Sequence, residues 1–240
     1  MVPPPPPPPQ PTSSRMEEGV RFGESDKNVR MSPFVVWVNV ATTVTQFLLG
    51  SVAFLALLVA NPFWDFIPKF SAHVYFVVIG YMILMSQVLL SYNLNTGFTN
   101  NLRFPKKRTL HWFLQVIGST IALIGCCLGL ATNADSDIDH LETTHGIVGF
   151  IAMLMTAVSL VGGLMHIIKW KQMSTMIYET SYAIVFTLTL IFAYTAFCIQ
   201  MAELTDGANQ VMIIFFTVIA LLLTLIMTFI DLLVRTGYFM

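Results

Sequence analysis

Six long apolar stretches, separated by shorter polar segments, constrain this chain more than any other feature of its sequence. Their approximate bounds are 34–60, 72–93, 109–131, 146–168, 178–200 and 211–235. Each can cross a hydrocarbon core of about 30 Å, which takes about 20 helical residues at a rise of about 1.5 Å per residue. Because backbone polar groups inside a bilayer must pair within the protein, the sequence predicts an all-α, polytopic membrane protein with six transmembrane helices.

Composition supports a membrane protein and argues against a nucleic-acid-binding protein. The chain is 55% hydrophobic and only 10% charged, which is unusual for a water-soluble domain of 240 residues. Its net charge of −1 provides no basic surface, so no nucleic-acid partner is expected. The cysteines Cys126, Cys127 and Cys198 lie in apolar runs without CxxC spacing, which favours small core residues over a disulfide framework or a metal site.

Lysine and arginine positions predict the orientation in the membrane. Of the 12 such residues, only Lys69 falls in the first, third or fifth connection; the others lie in the N-terminal tail, the second and fourth connections and the C-terminal end. Cytoplasmic segments carry the excess of positive charge. We therefore expect a cytosolic tail over 1–33, a six-helix domain over 34–235 and a short cytosolic C-terminus over 236–240. Which membrane holds the protein, an endomembrane vesicle, the endoplasmic reticulum or the plasma membrane, stays open.

The N-terminal tail begins with an unbroken proline run from Pro3 to Pro9 and continues with polar residues. So few apolar residues cannot bury a core, so the tail is predicted to be disordered, with a polyproline II start. Such a run is either a solvated tail or a docking segment for an SH3 or WW domain.

Four of the five histidines are predicted to lie at matching membrane depths. His73 and His145 begin the second and fourth spans on the non-cytosolic side, and His111 and His166 lie three residues inside Arg108 and Lys169 on the cytosolic side. His140 lies in the third connection. A histidine within a span is costly unless it is paired or coordinates a metal, so each is a candidate functional residue.

One interpretation is that two histidines on facing helices serve as the axial ligands of a six-coordinate b-type haem. The competing interpretation is that each is only a hydrogen-bonding anchor at the membrane interface. The separation of His145 and His166 is three heptads, which returns to one helix face about 31 Å along the axis. Haems near both surfaces would divide the roughly 30 Å of hydrocarbon that an electron must cross into shorter steps.

Three segments carry a resemblance to a known family. They read SAHVYFVVIGYMILMSQVLL from Ser71, KKRTLHWFLQVIGSTIALIGCCLG from Lys106 and DHLETTHGIVGFIAMLMTAVSLVGG from Asp139. In this order they resemble helices 2, 3 and 4 of the cytochrome b561 family, in particular its domain-containing transmembrane reductases. The third segment is the most specific, because it combines Thr143, His145 and Gly146 with a preceding histidine.

The resemblance implies a haem-binding four-helix bundle of helices 2–5, with one or two haems b per chain. It implies His73 and His145 as ligands of the non-cytosolic haem, and His111 with a helix 5 histidine as ligands of the cytosolic haem. Helix 5 has no histidine and reads IYETSYAIV from Ile177. Three alternatives stay open: His166 substitutes, Glu179 or the preceding Tyr178 ligates, or the cytosolic site is degenerate.

The resemblance also implies electron transfer from cytosolic ascorbate to ferric iron or monodehydroascorbate on the other side, and a possible homodimer. Lys106, Lys107 and Arg108 lie beside His111 and are candidates for binding anionic ascorbate, although they also serve as positive-inside determinants. The third connection is acidic and is either a simple solvated loop or an iron-gathering site. Its candidate residues are Asp139, His140 and Glu142.

Two other functions remain possible. One is a redox-impaired family member with one haem or none, acting as a membrane interaction or regulatory protein. The other, a proton or solute transporter, is less favoured, because the only acidic residues within the spans are Glu179 and Asp231, both near helix ends.

Overall fold

In the computed structural model, the described residues are 33–91, 104–134, 142–167 and 175–235. Their regular elements are all helical and form six long helices. These are α1 Pro33–Ala60, α2 Pro68–Leu90, α3 Phe104–Ala134, α4 Thr144–Ile167, α5 Thr175–Leu204 and α6 Gly207–Arg235. The tail before Pro33, the acidic connection with Asp139 and His140, and residues 236–240 lie outside the described residues.

Each of the six helices is long and apolar enough to cross a membrane. Large apolar side chains such as Phe47, Val158 and Phe215 are exposed on their outer surfaces. An exposed apolar surface is costly in water but suits lipid, whose hydrocarbon offers no hydrogen-bonding partners. The predicted all-α, polytopic membrane fold is confirmed.

Helices α2 to α5 form the predicted four-helix bundle. Along the chain α2 packs against α3, α3 against α4 and α4 against α5, and α5 returns to the middle of α2. Helix α6 packs against α5 and the C-terminal part of α2. Neighbouring helices in the bundle run antiparallel because their connections are short, so α2 and α4 begin at the same end. We call this the His73 end, and the opposite end the His111 end.

Two connections are short enough to be set by local chemistry. A 3₁₀ turn at Asn61–Phe63 follows α1, with a proline at its start. Between α5 and α6 only Thr205 and Asp206 intervene, and Gly207 adopts a positive φ of 56°. A side chain is disfavoured in this left-handed region, which explains the glycine.

Helix α2 contains a feature that the sequence did not predict. Its residues Val78–Met85 form a π-helical segment between α-helical portions at Pro68–Val77 and Ser86–Leu90. Such segments are rare and occur often at functional sites. This one faces α3 and α5 in the bundle.

Small residues allow α2 and α3 to approach closely. A Cβ atom added at Gly125 would lie 2.8 Å from the backbone nitrogen of Val77, and one at Gly80 would lie 2.6 Å from that of Ala122. Close backbone approach is how membrane helices gain packing energy without a hydrophobic driving force. Cys127, by contrast, is exposed, so the prediction that it is a core residue was wrong.

Candidate functional site

The structure brings His73 and His145 together at one end of the bundle. Their ring centroids are 6.2 Å apart and their planes are nearly perpendicular, at 88°. His73 lies in the second turn of α2, which begins at Pro68 and is tied to α1 by a hydrogen bond from the Ser71 hydroxyl to the Ala60 carbonyl. The pair joins two helices that are not consecutive in the chain.

A capped helix start positions His145. The hydroxyl oxygen of Thr143 accepts a hydrogen bond from the backbone N–H of Gly146 at 3.0 Å, and helix α4 begins at Thr144. A threonine just before a helix stabilises its first turn by satisfying a backbone donor that has no intrahelical partner. The Thr-x-His-Gly sequence therefore places the histidine in the first turn of a helix whose N-terminus is capped.

Both rings of the pair are oriented by backbone carbonyls. His73 Nδ1 lies 2.7 Å from the carbonyl oxygen of Gly125, and His145 Nδ1 lies 2.9 Å from that of Ala196. A carbonyl oxygen can only accept, so Nδ1 is the donor in each ring. In a neutral imidazole this leaves the lone pair on Nε2, the state in which histidine binds a metal, with the second-shell bond that commonly accompanies it.

A glycine makes room for the His73 ring. A Cβ atom at Gly129 would lie 2.6 Å from Nδ1 and 2.8 Å from Cε1 of His73. Contacts between carbon atoms are favourable only near 3.5–4.0 Å, so any larger residue at this position would displace the ring. Gly129 is one turn beyond Gly125, whose carbonyl holds the same ring. Helix α3 thus both orients His73 and leaves space for it.

The two histidines line a cavity whose walls come from all four helices of the bundle. Its empty space, including the open mouth, is about 1100 Å³. Apart from the histidines the lining is largely apolar and includes Phe70, Val77, Met82, Phe150, Met153 and Phe197. The cavity therefore suits a large apolar ligand that also requires two imidazole nitrogens.

A haem fits this donor set. With a metal–nitrogen bond of about 2.1 Å and an imidazole ring radius of about 1.1 Å, two rings on opposite sides of one metal ion have centroids about 6.4 Å apart. The observed separation of 6.2 Å agrees with this value. Two neutral imidazoles and apolar walls are also the surroundings of bis-histidine haem iron.

His111 lies at the opposite end of the bundle, in the third turn of α3. Its Nδ1 is 3.0 Å from the carbonyl oxygen of Val88 and 3.2 Å from the hydroxyl of Ser91, both at the C-terminal end of α2. Like the paired histidines, His111 therefore has a backbone carbonyl within hydrogen-bonding distance of Nδ1. The structure separates it from His73 and His145, as the depth argument predicts.

The remaining candidate residues are placed less completely. Lys106 is exposed in the first turn of α3, where Lys107 and Arg108 follow, and Glu142 is exposed just before α4. His166 and Glu179 belong to α4 and α5, but their side chains lie outside what the structure describes, as do Asp139 and His140 entirely. Among the described residues, no three His, Cys, Asp or Glu side chains are grouped to hold a metal ion.

Sequence reasoning missed several buried polar residues, of which Tyr81 and Tyr194 line the cavity. Tyr81, Ser86, Thr156 and Tyr194 are buried and form hydrogen bonds between helices, as described below. Gly129 was also missed, although Gly118, Gly125 and Gly129 recur at intervals of seven and four residues along one face of α3. That spacing was the available signal for a close helix contact.

The fold and the site together define a class: polytopic helical membrane proteins with a histidine pair inside a four-helix bundle. Residues 72–214, which include α2 after its first four residues, all of α3 to α5 and the beginning of α6, match the family described as eukaryotic cytochrome b561. The chain belongs to the cytochrome b561 family, as its three resembling segments suggested. The name denotes b-type haem proteins, which agrees with the fit of the histidine pair.

Curated relatives show a more distant similarity. The chain is 28% identical over 95 residues to the transmembrane reductase CYB561D2 of Mus musculus, which covers 40% of this chain and 43% of that protein. The Homo sapiens and Bos taurus proteins of the same name are each 28% identical over 94 residues, or 39% of this chain and 42% of theirs. The match thus spans less than half of these relatives.

Proposed function

We propose that this protein is a transmembrane oxidoreductase that passes electrons from cytosolic ascorbate to ferric iron or monodehydroascorbate on the opposite side. One observation carries the proposal: His73 and His145 line one apolar cavity with ring centroids 6.2 Å apart, a separation at which both residues would hold one haem. Family membership and the name of the relatives, transmembrane reductase, support the same reaction class.

We assign His73 and His145 as ligands of a haem on the non-cytosolic side. The haem would supply reversible one-electron transfer at a fixed depth in the membrane. The protein contributes the rest: the carbonyls of Gly125 and Ala196 hold both rings in the ligating tautomer and increase the basicity of Nε2. The apolar walls limit access of water.

His111 is proposed to bind a second haem on the cytosolic side. The carbonyl of Val88 near its Nδ1 matches the arrangement at the first pair and supports this role. Because α5 contains no histidine, the second ligand must come from elsewhere. His166 is the preferred substitute, because it has the predicted depth and helix face, and Glu179 is the alternative.

Substrate sites are proposed at both membrane surfaces. The cationic residues Lys106, Lys107 and Arg108 begin α3 beside His111 and would attract ascorbate, which is an anion. On the other side, Asp139, His140 and Glu142 would gather ferric iron, which favours oxygen ligands. We further propose cytosolic termini, a homodimer, and recognition of Pro3–Pro9 by an SH3 or WW domain.

A redox-impaired role is the second candidate function. The observation that favours it is that the sequence of α5 contains no histidine, whereas in the family this helix supplies one ligand of the cytosolic haem. With only the non-cytosolic haem, electrons from the cytosol would face nearly the whole hydrocarbon thickness of about 30 Å without an intermediate centre. The protein would then act through its tail or membrane surfaces.

Haem stoichiometry of the purified protein tests the proposal. We expect two haems per chain by the pyridine haemochrome assay, both reduced by ascorbate. His73→Ala and His145→Ala should each remove one haem, and His111→Ala and His166→Ala should each remove the other. One haem that survives His111→Ala but not His73→Ala would favour the second candidate, and a haem-free protein would contradict both haem assignments.

Vesicle reconstitution tests directionality. Protein in liposomes loaded with ascorbate should reduce an external ferric chelate, and His73→Ala should abolish the rate although the vesicles still hold folded protein. Reduction that is equally fast in empty liposomes, or insensitive to this substitution, would count against transmembrane transfer through the proposed site.

A further inference from the structure

Tyr81 lies near the centre of the bundle, where the cavity ends. It belongs to the π-helical segment of α2, eight residues after His73, and its side chain is buried with 5% of its surface exposed. It also lines the cavity that holds the histidine pair. Its hydroxyl and its backbone carbonyl each take part in hydrogen bonds with other side chains.

The hydroxyl of Tyr81 bonds α4. Its oxygen is 2.8 Å from Thr156 Oγ1, which in turn donates its only hydrogen to the carbonyl of Ala152 at 2.7 Å. Because the threonine hydrogen is already used, Tyr81 must donate to Thr156. The thiol of Cys126 on α3 lies 3.7 Å from the Tyr81 oxygen and is left as donor to it. Each hydroxyl or thiol hydrogen in this series of hydrogen bonds thus has an assigned acceptor.

The carbonyl of Tyr81 bonds α5 through a serine. Ser86 donates both its backbone N–H and, at 3.1 Å, its hydroxyl hydrogen to this carbonyl. The Ser86 oxygen is 2.8 Å from the hydroxyl of Tyr194, which must therefore be the donor. The backbone bond spans five residues, so the π-helical turn is what brings Ser86 to the carbonyl.

Hydrogen bonds of Tyr81, and of Ser86 that donates to its carbonyl, thus connect all four helices of the bundle. We define the Tyr81 cluster as Tyr81, Ser86, Cys126, Thr156 and Tyr194. We propose that Tyr81 is a positioning residue for the non-cytosolic haem: its bond to Thr156 fixes α2 relative to α4, and so fixes the spacing and mutual orientation of the His73 and His145 rings. The inference rests on the proposed ligand roles of these two histidines.

Breaking the Tyr81–Thr156 hydrogen bond is energetically costly, and this cost keeps α2 and α4 in place. Thr156 is fully buried, so loss of its partner leaves an acceptor without a hydrogen bond in an apolar interior. The histidines lie two to three turns from the Tyr81–Thr156 bond along their respective helices. A small change in the angle between α2 and α4 at that bond therefore changes the distance between the rings at the helix ends.

The test compares Tyr81→Phe and Thr156→Val with the matched control Tyr75→Phe. Tyr75 lies on the same helix but contacts Trp64 and does not line the cavity. In purified protein containing haem, we expect Tyr81→Phe and Thr156→Val each to speed haem transfer to apomyoglobin about tenfold, the effect of one buried hydrogen bond. Each should also alter the low-spin ferric EPR spectrum, which reports ring orientation. Tyr75→Phe should change neither.

A double-mutant cycle and a conservative variant separate positioning from general stability. Because both single variants break the same bond, Tyr81→Phe with Thr156→Val should be no worse than either alone. Thr156→Ser, which keeps the hydroxyl, should restore the EPR spectrum. Lower thermal stability with unchanged EPR and haem release would overturn the inference, because it would show a structural role alone. Wild-type protein without haem would overturn the proposed function itself, and the inference with it.

Discussion

Replacing Gly129 by alanine tests the histidine site most directly. The added Cβ atom would lie 2.6 Å from Nδ1 of His73, about 1 Å inside ordinary contact distance. Backbone atoms of a packed helix move less easily than a side chain, so the ring is expected to withdraw. A withdrawal of about 1 Å would stretch the 2.7 Å bond to the Gly125 carbonyl beyond the range of a hydrogen bond.

The expected loss of haem affinity in Gly129→Ala follows from two free-energy contributions. Loss of a hydrogen bond costs about 1 kcal/mol, and overpacking costs about 1–3 kcal/mol, of which only part acts on ligand geometry. A net loss of about 1–3 kcal/mol at the site lowers haem affinity by about 5- to 150-fold. Helix propensity acts the other way, because alanine is favoured over glycine by up to about 1 kcal/mol in a helix interior.

The assay measures haem content and haem release in parallel for Gly129→Ala and the control Gly50→Ala. A Cβ atom at Gly50 meets no atom within 4 Å, so this variant gains the same propensity term without a clash. We expect reduced haem occupancy and faster haem release for Gly129→Ala only. If its occupancy, release rate and EPR spectrum equal those of the wild type, the assignment of His73 as a tightly positioned ligand is refuted.

Three further predictions concern other parts of the molecule. Ser86→Ala should lower the free energy of unfolding by about 1–3 kcal/mol, because it removes the hydrogen-bond partner of the buried Tyr194 hydroxyl on α5. Thermal denaturation in detergent measures this loss, and an unchanged midpoint would contradict the prediction. Replacing Lys106, Lys107 and Arg108 together by glutamine should raise the KM for ascorbate with little change in haem content, measured by stopped-flow reduction, whereas an unchanged KM would limit them to a topological role. Gly207→Ala should destabilise the α5–α6 turn by about 1 kcal/mol, because its φ is 56°, and equal stability to the wild type in a denaturation series would refute this.

The sequence predicted the six helices because they follow from strong, local physical rules, whereas the four-helix bundle of helices 2–5 was predicted from the family resemblance. An apolar run of about 20 residues has few alternatives to a membrane-spanning helix. The depth of His73, His145 and His111 could be read from the positions of the spans, and the structure places the first two together and the third at the far end. Helix length and charge in the connections were sufficient to predict the spans and the depths of these histidines.

Only the tertiary structure decided the details of the site. Ring separation, the carbonyl partners of both histidines and the clearance at Gly129 depend on how each helix is rotated and how closely it approaches its neighbours. The π-helical segment of α2 changes that rotation partway along one helix, yet apolar composition does not indicate it. The physical reason is that helix formation in a membrane depends on the polarity of one segment, whereas ligand geometry depends on side-chain contacts between segments far apart in the chain.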